Sequence, residues 1–132
     1  MTIKNATIGL LIQNNDGSTV SIKNTQIYNS TNYGILAQTA KINGENLVIN
    51  NAGLASLACT YGGNYSFTHA TFNNNWNSSK QVAVLVSNYI SGAIPEAKAL
   101  TMATFNNCII YGSYSNEMSL TRKTGAAFEY QF

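Results

Sequence analysis

A hexapeptide pattern recurs five times along the chain: an apolar or small residue, a free position, a polar turn residue, two free positions and a second apolar residue. It covers residues 3–8, 22–27, 44–49, 67–72 and 105–110, with Asn5, Asn24, Asn46, His69 and Asn107 at its centre. A period of roughly 22 residues marks a solenoid, whose repeats cannot bury an apolar face alone and must stack on their neighbours. The chain is therefore predicted to be a single segment over 1–132, built of about five coils.

Strand residues alternate between two faces, so stacked coils should present columns of like character. Two positions before the centre stand Ile3, Ile22, Gly44, Phe67 and Phe105. Three positions after it stand Ile8, Ile27, Ile49, Phe72 and Ile110, and one after it Ala6, Thr25, Leu47, Ala70 and Cys108. These columns are expected inside, whereas Lys4, Lys23, Glu45, Thr68 and Asn106 are expected in solvent. Glu45 should stack on Lys23 as an exposed ion pair, across the roughly 4.8 Å that separates neighbouring strands. Five residues past each centre a second polar column reads Asn29, Asn51, Asn74 and Gly112, with Leu10 breaking it in the first coil. Asn and Gly tolerate a left-handed backbone, and stacked Asn amides can bond along such a column. Farther on, Ile35-Leu36-Ala37-Gln38 aligns with Leu57-Ala58-Cys59-Thr60, and residues 82–86 supply the matching strand of the fourth coil.

About three short strands per coil, joined by tight turns, is the arrangement of a right-handed parallel β-helix, and the chain resembles the pectate-lyase-like β-helix superfamily. The run Leu57-Ala58-Cys59-Thr60-Tyr61-Gly62-Gly63-Asn64-Tyr65-Ser66-Phe67-Thr68-His69 resembles a motif in uncharacterised β-helix proteins of Bacteroidetes-type bacteria. The resemblance covers nearly the whole chain. It implies an all-β, right-handed parallel β-helix with an extracellular or cell-surface location and polysaccharide as the expected partner. It implies no particular activity, because one fold hosts many.

The interval between His69 and Asn107 is long enough for one ordinary coil and an excursion, placed around 91–98, where the only proline, Pro95, falls. The residue before a proline is pushed away from helix, so Ile94-Pro95-Glu96 reads as a surface loop, and loops leaving a rigid scaffold often carry binding residues. No end cap is visible. Strand pattern begins at Ile3, and Phe128-Glu129-Tyr130-Gln131-Phe132 opens a new coil with Phe132 where Phe105 stood. The chain therefore reads as an uncapped fragment of a longer β-helix, and its open strand edges make a second copy, stacked end to end, a further expected partner.

Charged residues are only 9% of the chain and the net charge is +2. The basic residues are dispersed, with Arg122-Lys123 the one adjacent pair, so the concentrated basic face that nucleic acid needs is missing. No stretch approaches the roughly 20 apolar residues of a membrane span. The two cysteines, Cys59 and Cys108, lie on different strand sets and read as buried free thiols.

Catalysis can be weighed by counting carboxylates. The resemblance implies calcium-holding acidic clusters in lyases and clustered aspartates in hydrolases, and glycoside hydrolysis needs two carboxyl groups roughly 5–9.5 Å apart. Here there are Asp16, Glu45, Glu96, Glu117 and Glu129. Glu45 is paired with Lys23, Asp16 sits in the turn Asn14-Asn15-Asp16-Gly17, Glu96 in the excursion and Glu129 on the outer side of the last strand. No catalytic residue is assigned. With one histidine no three- or four-ligand metal site can be drawn, and Gly62-Gly63 lacks the lysine and hydroxyl of a phosphate loop, so no cofactor is expected. His69 is expected to stand in structurally for Asn.

What remains is aromatic. Tyr61, Tyr65 and Trp76 lie close in sequence beside Asn64, and amphipathic rings beside amides suit a sugar, with ring faces for stacking and amides for hydroxyls. The same residues also fit pure packing, with Tyr61 and Tyr65 closing the corner at Gly62-Gly63 and Trp76 covering an irregular turn. Both readings stay open. The expected function is a non-enzymatic structural or carbohydrate-contacting segment of a larger protein. The alternatives are part of a polysaccharide lyase or glycoside hydrolase whose catalytic residues lie elsewhere, and a self-assembly module.

Overall fold

The computed structural model describes residues 1–15, 17–76, 80–92 and 96–132. Among these there is no helix: eleven strands wind into a parallel β-solenoid of about five turns. In chain order they are β1 (Thr2–Lys4), β2 (Ile8–Gln13), β3 (Val20–Ser30), β4 (Tyr33–Ala52), β5 (Ala55–Thr68), β6 (Thr71–Asn74), β7 (Val82–Ser87), β8 (Leu100–Asn106), β9 (Ile109–Gly112), β10 (Met118–Thr121) and β11 (Phe128–Gln131). Pairing between coils gives three faces. The first stacks the start of β3, the middle of β4, the end of β5, then β8 and β11. The second stacks β1, the end of β3, the end of β4, β6 and β9. The third stacks β2, the start of β4, the start of β5, β7 and β10.

Strands as long as β4 stay continuous by bending at single residues held in the left-handed region. At the first corner Asn24, Asn46, His69 and Asn107 have φ of 50°, 53°, 52° and 51°, and at the second Asn5, Asn29 and Asn51 have 56°, 57° and 56°. The third corner uses Asn14, Thr39 and Tyr61 at 43°, 48° and 61°. Asparagine is the side-chain-bearing residue that best tolerates this conformation, which explains its recurrence. The column also bonds to itself: Asn46 Nδ2 donates to Asn24 Oδ1 at 3.1 Å, and Asn107 Nδ2 lies 3.4 Å from His69 Nε2. His69 thus occupies an asparagine's place in the corner. Thr39, β-branched and ill suited to positive φ, is held there with its hydroxyl donating 2.8 Å to the Tyr61 carbonyl.

The core follows the expected columns from the second coil onward. Ile22, Gly44, Phe67 and Phe105 are in register, as are Ile27, Ile49, Phe72 and Ile110, and Ile35, Leu57 and Val84. Phe67 stacks on Phe105 at 5.4 Å and meets Phe72 edge-on at 5.5 Å. Gly44 belongs in this column because Phe67 fills its place: a Cβ there would lie 2.6 Å from the ring. Phe132 stacks on Phe105, also at 5.4 Å, as the sequence pattern required. Outside the core, Lys23 and Glu45 form the expected ion pair at 2.9 Å, and the Lys23 hydrogen bond holds the Glu45 carboxyl below its usual range.

The first coil departs from its predicted register. Ile3 stacks on Ile27, and Ile8 on Tyr33, so Asn5 belongs to the second corner column, where the sequence pattern puts Leu10 as an interruption. The reason is that Ile-x-Asn precedes both corners, in Ile22-Lys23-Asn24 and again in Ile27-Tyr28-Asn29. Ile3-Lys4-Asn5 matches either, and backbone pairing chooses the second.

Both cysteines are free. Cys59 is wholly buried, whereas Cys108 is only partly buried against the core rather than enclosed. Burial pushes the Cys59 thiol far above its ordinary value and raises Cys108 as well. Because the thiolate is the nucleophile, Cys59 should resist iodoacetamide in the native protein at neutral pH while Cys108 alkylates slowly. Mass spectrometry should then find both modified after denaturation. Fast native labelling of Cys59 would contradict its place in the core.

The excursion leaves after β7 and returns before β8, starting slightly earlier than the sequence suggested. Tyr89 and Ala97 form an antiparallel bridge, and Lys98 N donates to Asn88 O at 2.8 Å. Residues 93–95, with the expected Ile94-Pro95 turn, lie outside the described residues, as do Asp16 and residues 77–79. Asn88, fully buried, anchors the base: its Nδ2 donates to the carbonyls of Lys123 and Ala126, and its Oδ1 accepts from Lys123 N at 2.7 Å. The returning chain passes close over Gly62, where a Cβ would meet Ala99 O at 2.6 Å.

Candidate functional site

The four residues proposed from sequence as a sugar platform do not converge. Tyr65 is 0% exposed. It lies on the inner side of β5 between Ile42 and Ala103, its hydroxyl donating to Gly62 O at 2.8 Å, so it offers no ring face to a ligand. Tyr61 sits at the third corner with Lys98 Nζ 4.7 Å above its ring. Asn64 points outward on the first face and donates to Thr101 Oγ1 at 3.0 Å. Trp76 follows β6 beyond the second corner, its indole beside Gly53. The packing account holds for Tyr65, and Tyr61 and Trp76 occupy different corners.

The carboxylates are likewise spread over separate elements. Glu45 is on the first face, Glu96 in the excursion and Glu129 on β11. Glu117, just before β10, accepts from Tyr114 N at 2.6 Å. Among the described residues no group of three or more His, Cys, Asp or Glu side chains is gathered as a metal site.

A different surface does gather suitable side chains. On the third face the outward residues form two columns parallel to the solenoid axis. One runs Leu11, Leu36, Ala58, Leu85 and Ser119, the other Gln13, Gln38, Thr60, Ser87 and Thr121. The excursion then lays Tyr89, Ile90 and Ser91 beside them, and Tyr33 closes the far side, giving a groove of about 270 Å³. Leu36 and Leu85 are its apolar floor. Gln38, Thr60, Ser87 and Thr121 contribute one amide or hydroxyl from each of four successive coils. The fixed bonds orient these groups: Gln13 Nε2 donates to Gln38 Oε1, Thr60 Oγ1 to Ala37 O at 3.4 Å, and Ser87 Oγ to Tyr89 O at 2.9 Å. The last of these ties the aromatic wall to the strand beneath it.

Sequence reasoning passed over this groove because 35–37 and 82–86 read as continuous apolar runs, as strands buried on both faces do. The available signal was period two: with Ile35 and Ala37 inside, Leu36 must face out, and Leu85 follows by register. No helix among the described residues is long and apolar enough to cross a membrane. No family model, no curated protein and no solved structure matches the chain.

Proposed function

We propose that this chain is a non-enzymatic, carbohydrate-contacting segment of a larger extracellular or cell-surface β-solenoid, and that the contact is made in the third-face groove. The observation that carries this reading is the combination of Tyr33 and Tyr89 at the sides of an apolar floor with the column Gln38–Thr60–Ser87–Thr121 along it. A pyranose has apolar ring faces that stack on aromatic rings and hydroxyls that both donate and accept, as amides and side-chain hydroxyls do. Neighbouring coils repeat at about 4.8 Å, close to the length of one sugar in an extended chain. A glycan lying along the axis therefore meets one hydrogen-bonding side chain per coil.

The test is affinity electrophoresis through gels containing individual polysaccharides. Tyr89→Ala and Tyr33→Ala should each weaken retardation by roughly fivefold, corresponding to about 1 kcal/mol per lost ring contact, with circular dichroism unchanged. Tyr61→Ala and Trp76→Ala should retain binding. Retardation that follows Tyr61 or Trp76 instead would move the site, and no retardation of the parent protein in any gel would remove the carbohydrate reading.

A further inference from the structure

We infer that the glycan taken by this groove is uncharged, a deduction that rests on the carbohydrate-contacting reading and narrows its ligand class. Among the described residues, every side chain lining the groove is aromatic, aliphatic, amide or hydroxyl. An acidic polysaccharide brings a carboxylate or sulfate with each charged sugar. Such a group is ordinarily met by arginine or lysine in charge-assisted pairs, because a charge moved from water without a partner loses more than neutral hydrogen bonds return. A cationic glycan would need carboxylates, and the described residues of the lining include none of those either.

Three of the described lysines lie away from the groove. Lys23 is paired with Glu45 on the first face, Lys98 lies over Tyr61 at the third corner, and Lys41 faces outward on the first face. Arg122, exposed just beyond Thr121, is the cation nearest the column in sequence and is not part of the lining. What the groove does present is matched to neutral hydroxyls. Gln38 Oε1 is occupied by Gln13, leaving its Nε2 to donate; Thr60, whose hydroxyl donates to Ala37 O, is left to accept, and the Thr121 hydroxyl supplies both functions.

The experiment sets β-glucan, xylan and mannan gels against polygalacturonate and alginate gels, each at low and at physiological salt. Expected is retardation by at least one neutral polymer, about tenfold stronger than by either acidic one. It should be insensitive to salt, about fivefold weaker in Tyr89→Ala and weakened in Gln38→Ala, a variant that leaves the aromatic wall in place should Tyr89→Ala fold poorly. Retardation chiefly by an acidic polymer, still weakened in Tyr89→Ala, would overturn the uncharged assignment while keeping the groove as a glycan site. Acidic binding that is undiminished in Tyr89→Ala but disappears with salt or in Arg122→Gln would overturn both. No retardation in any of the five gels would overturn the carbohydrate reading and this inference with it.

Discussion

Replacing Ile49 with Asp abolishes the cooperative fold, whereas Lys4→Ala leaves it intact. Ile49 is 0% exposed and lies in register between Ile27 and Phe72 in the middle of the solenoid. The space around it is fully used: a Cβ on Gly34 would fall 2.4 Å from Ile49 Cγ2. Losing a buried aliphatic side chain of this size costs about 2–5 kcal/mol, and an unpaired carboxylate in the same place adds several more. Against a total stability of about 5–15 kcal/mol the sum is decisive. In a solenoid the damage spreads as well, since each coil is stable only while stacked on its neighbours. Lys4 is exposed on β1, so its truncation removes little. Far-ultraviolet circular dichroism with a thermal melt reads both variants: I49D should lose the strand signal and the transition. If the two melt alike, the assignment of inner and outer columns is wrong.

That prediction is legible in the sequence because the columns from the second coil onward depend on side-chain type at fixed intervals, the one thing sequence reports directly. Ile27, Ile49, Phe72 and Ile110 form such a column, and Lys23 over Glu45 is its outward counterpart. Register is less legible where the same triplet serves two corners: Ile3-Lys4-Asn5 fits the first corner by pattern, but pairing puts it at the second. Tyr65 shows a different failure. Counting back two from the inward Phe67 places it inside, yet nearness in sequence to Tyr61 and Trp76 made it look like part of a surface cluster. In a solenoid, residues fifteen positions apart have travelled most of the way round a coil, so Tyr61 and Trp76 land on different corners. The groove was out of reach for a third reason. Its wall exists only because the excursion returns alongside β7, held there by Asn88 and by the Tyr89–Ala97 bridge. No periodicity encodes the path of a loop.

Asn74→Asp should destabilise the protein by about 3–5 kcal/mol at neutral pH although it alters a single atom group. Asn74 is 0% exposed and makes four bonds at the second corner. Its Oδ1 accepts from Ala52 N and Trp76 N, both at 3.2 Å, and its Nδ2 donates to Ala52 O at 2.8 Å and Val82 O at 3.0 Å. An aspartate keeps the acceptor but sets a second, negatively charged oxygen against two carbonyls. Only the protonated acid can donate to one of them, so folding raises the pKa of this carboxyl above its unfolded value of about 3.9. The sign follows: the penalty is smallest below that pKa, where both states hold the proton, and grows as pH rises through the folded value. Urea midpoints of parent and variant should therefore converge toward pH 4 and separate toward pH 7. The single tryptophan gives a local readout, because Trp76 takes its place partly through the bond from its backbone N–H to Asn74. Its emission should change in the variant at neutral pH, before the global transition, and revert in acid. A deficit independent of pH would mean that water reaches the corner, and the four-bond anchor would then count for far less than its burial implies.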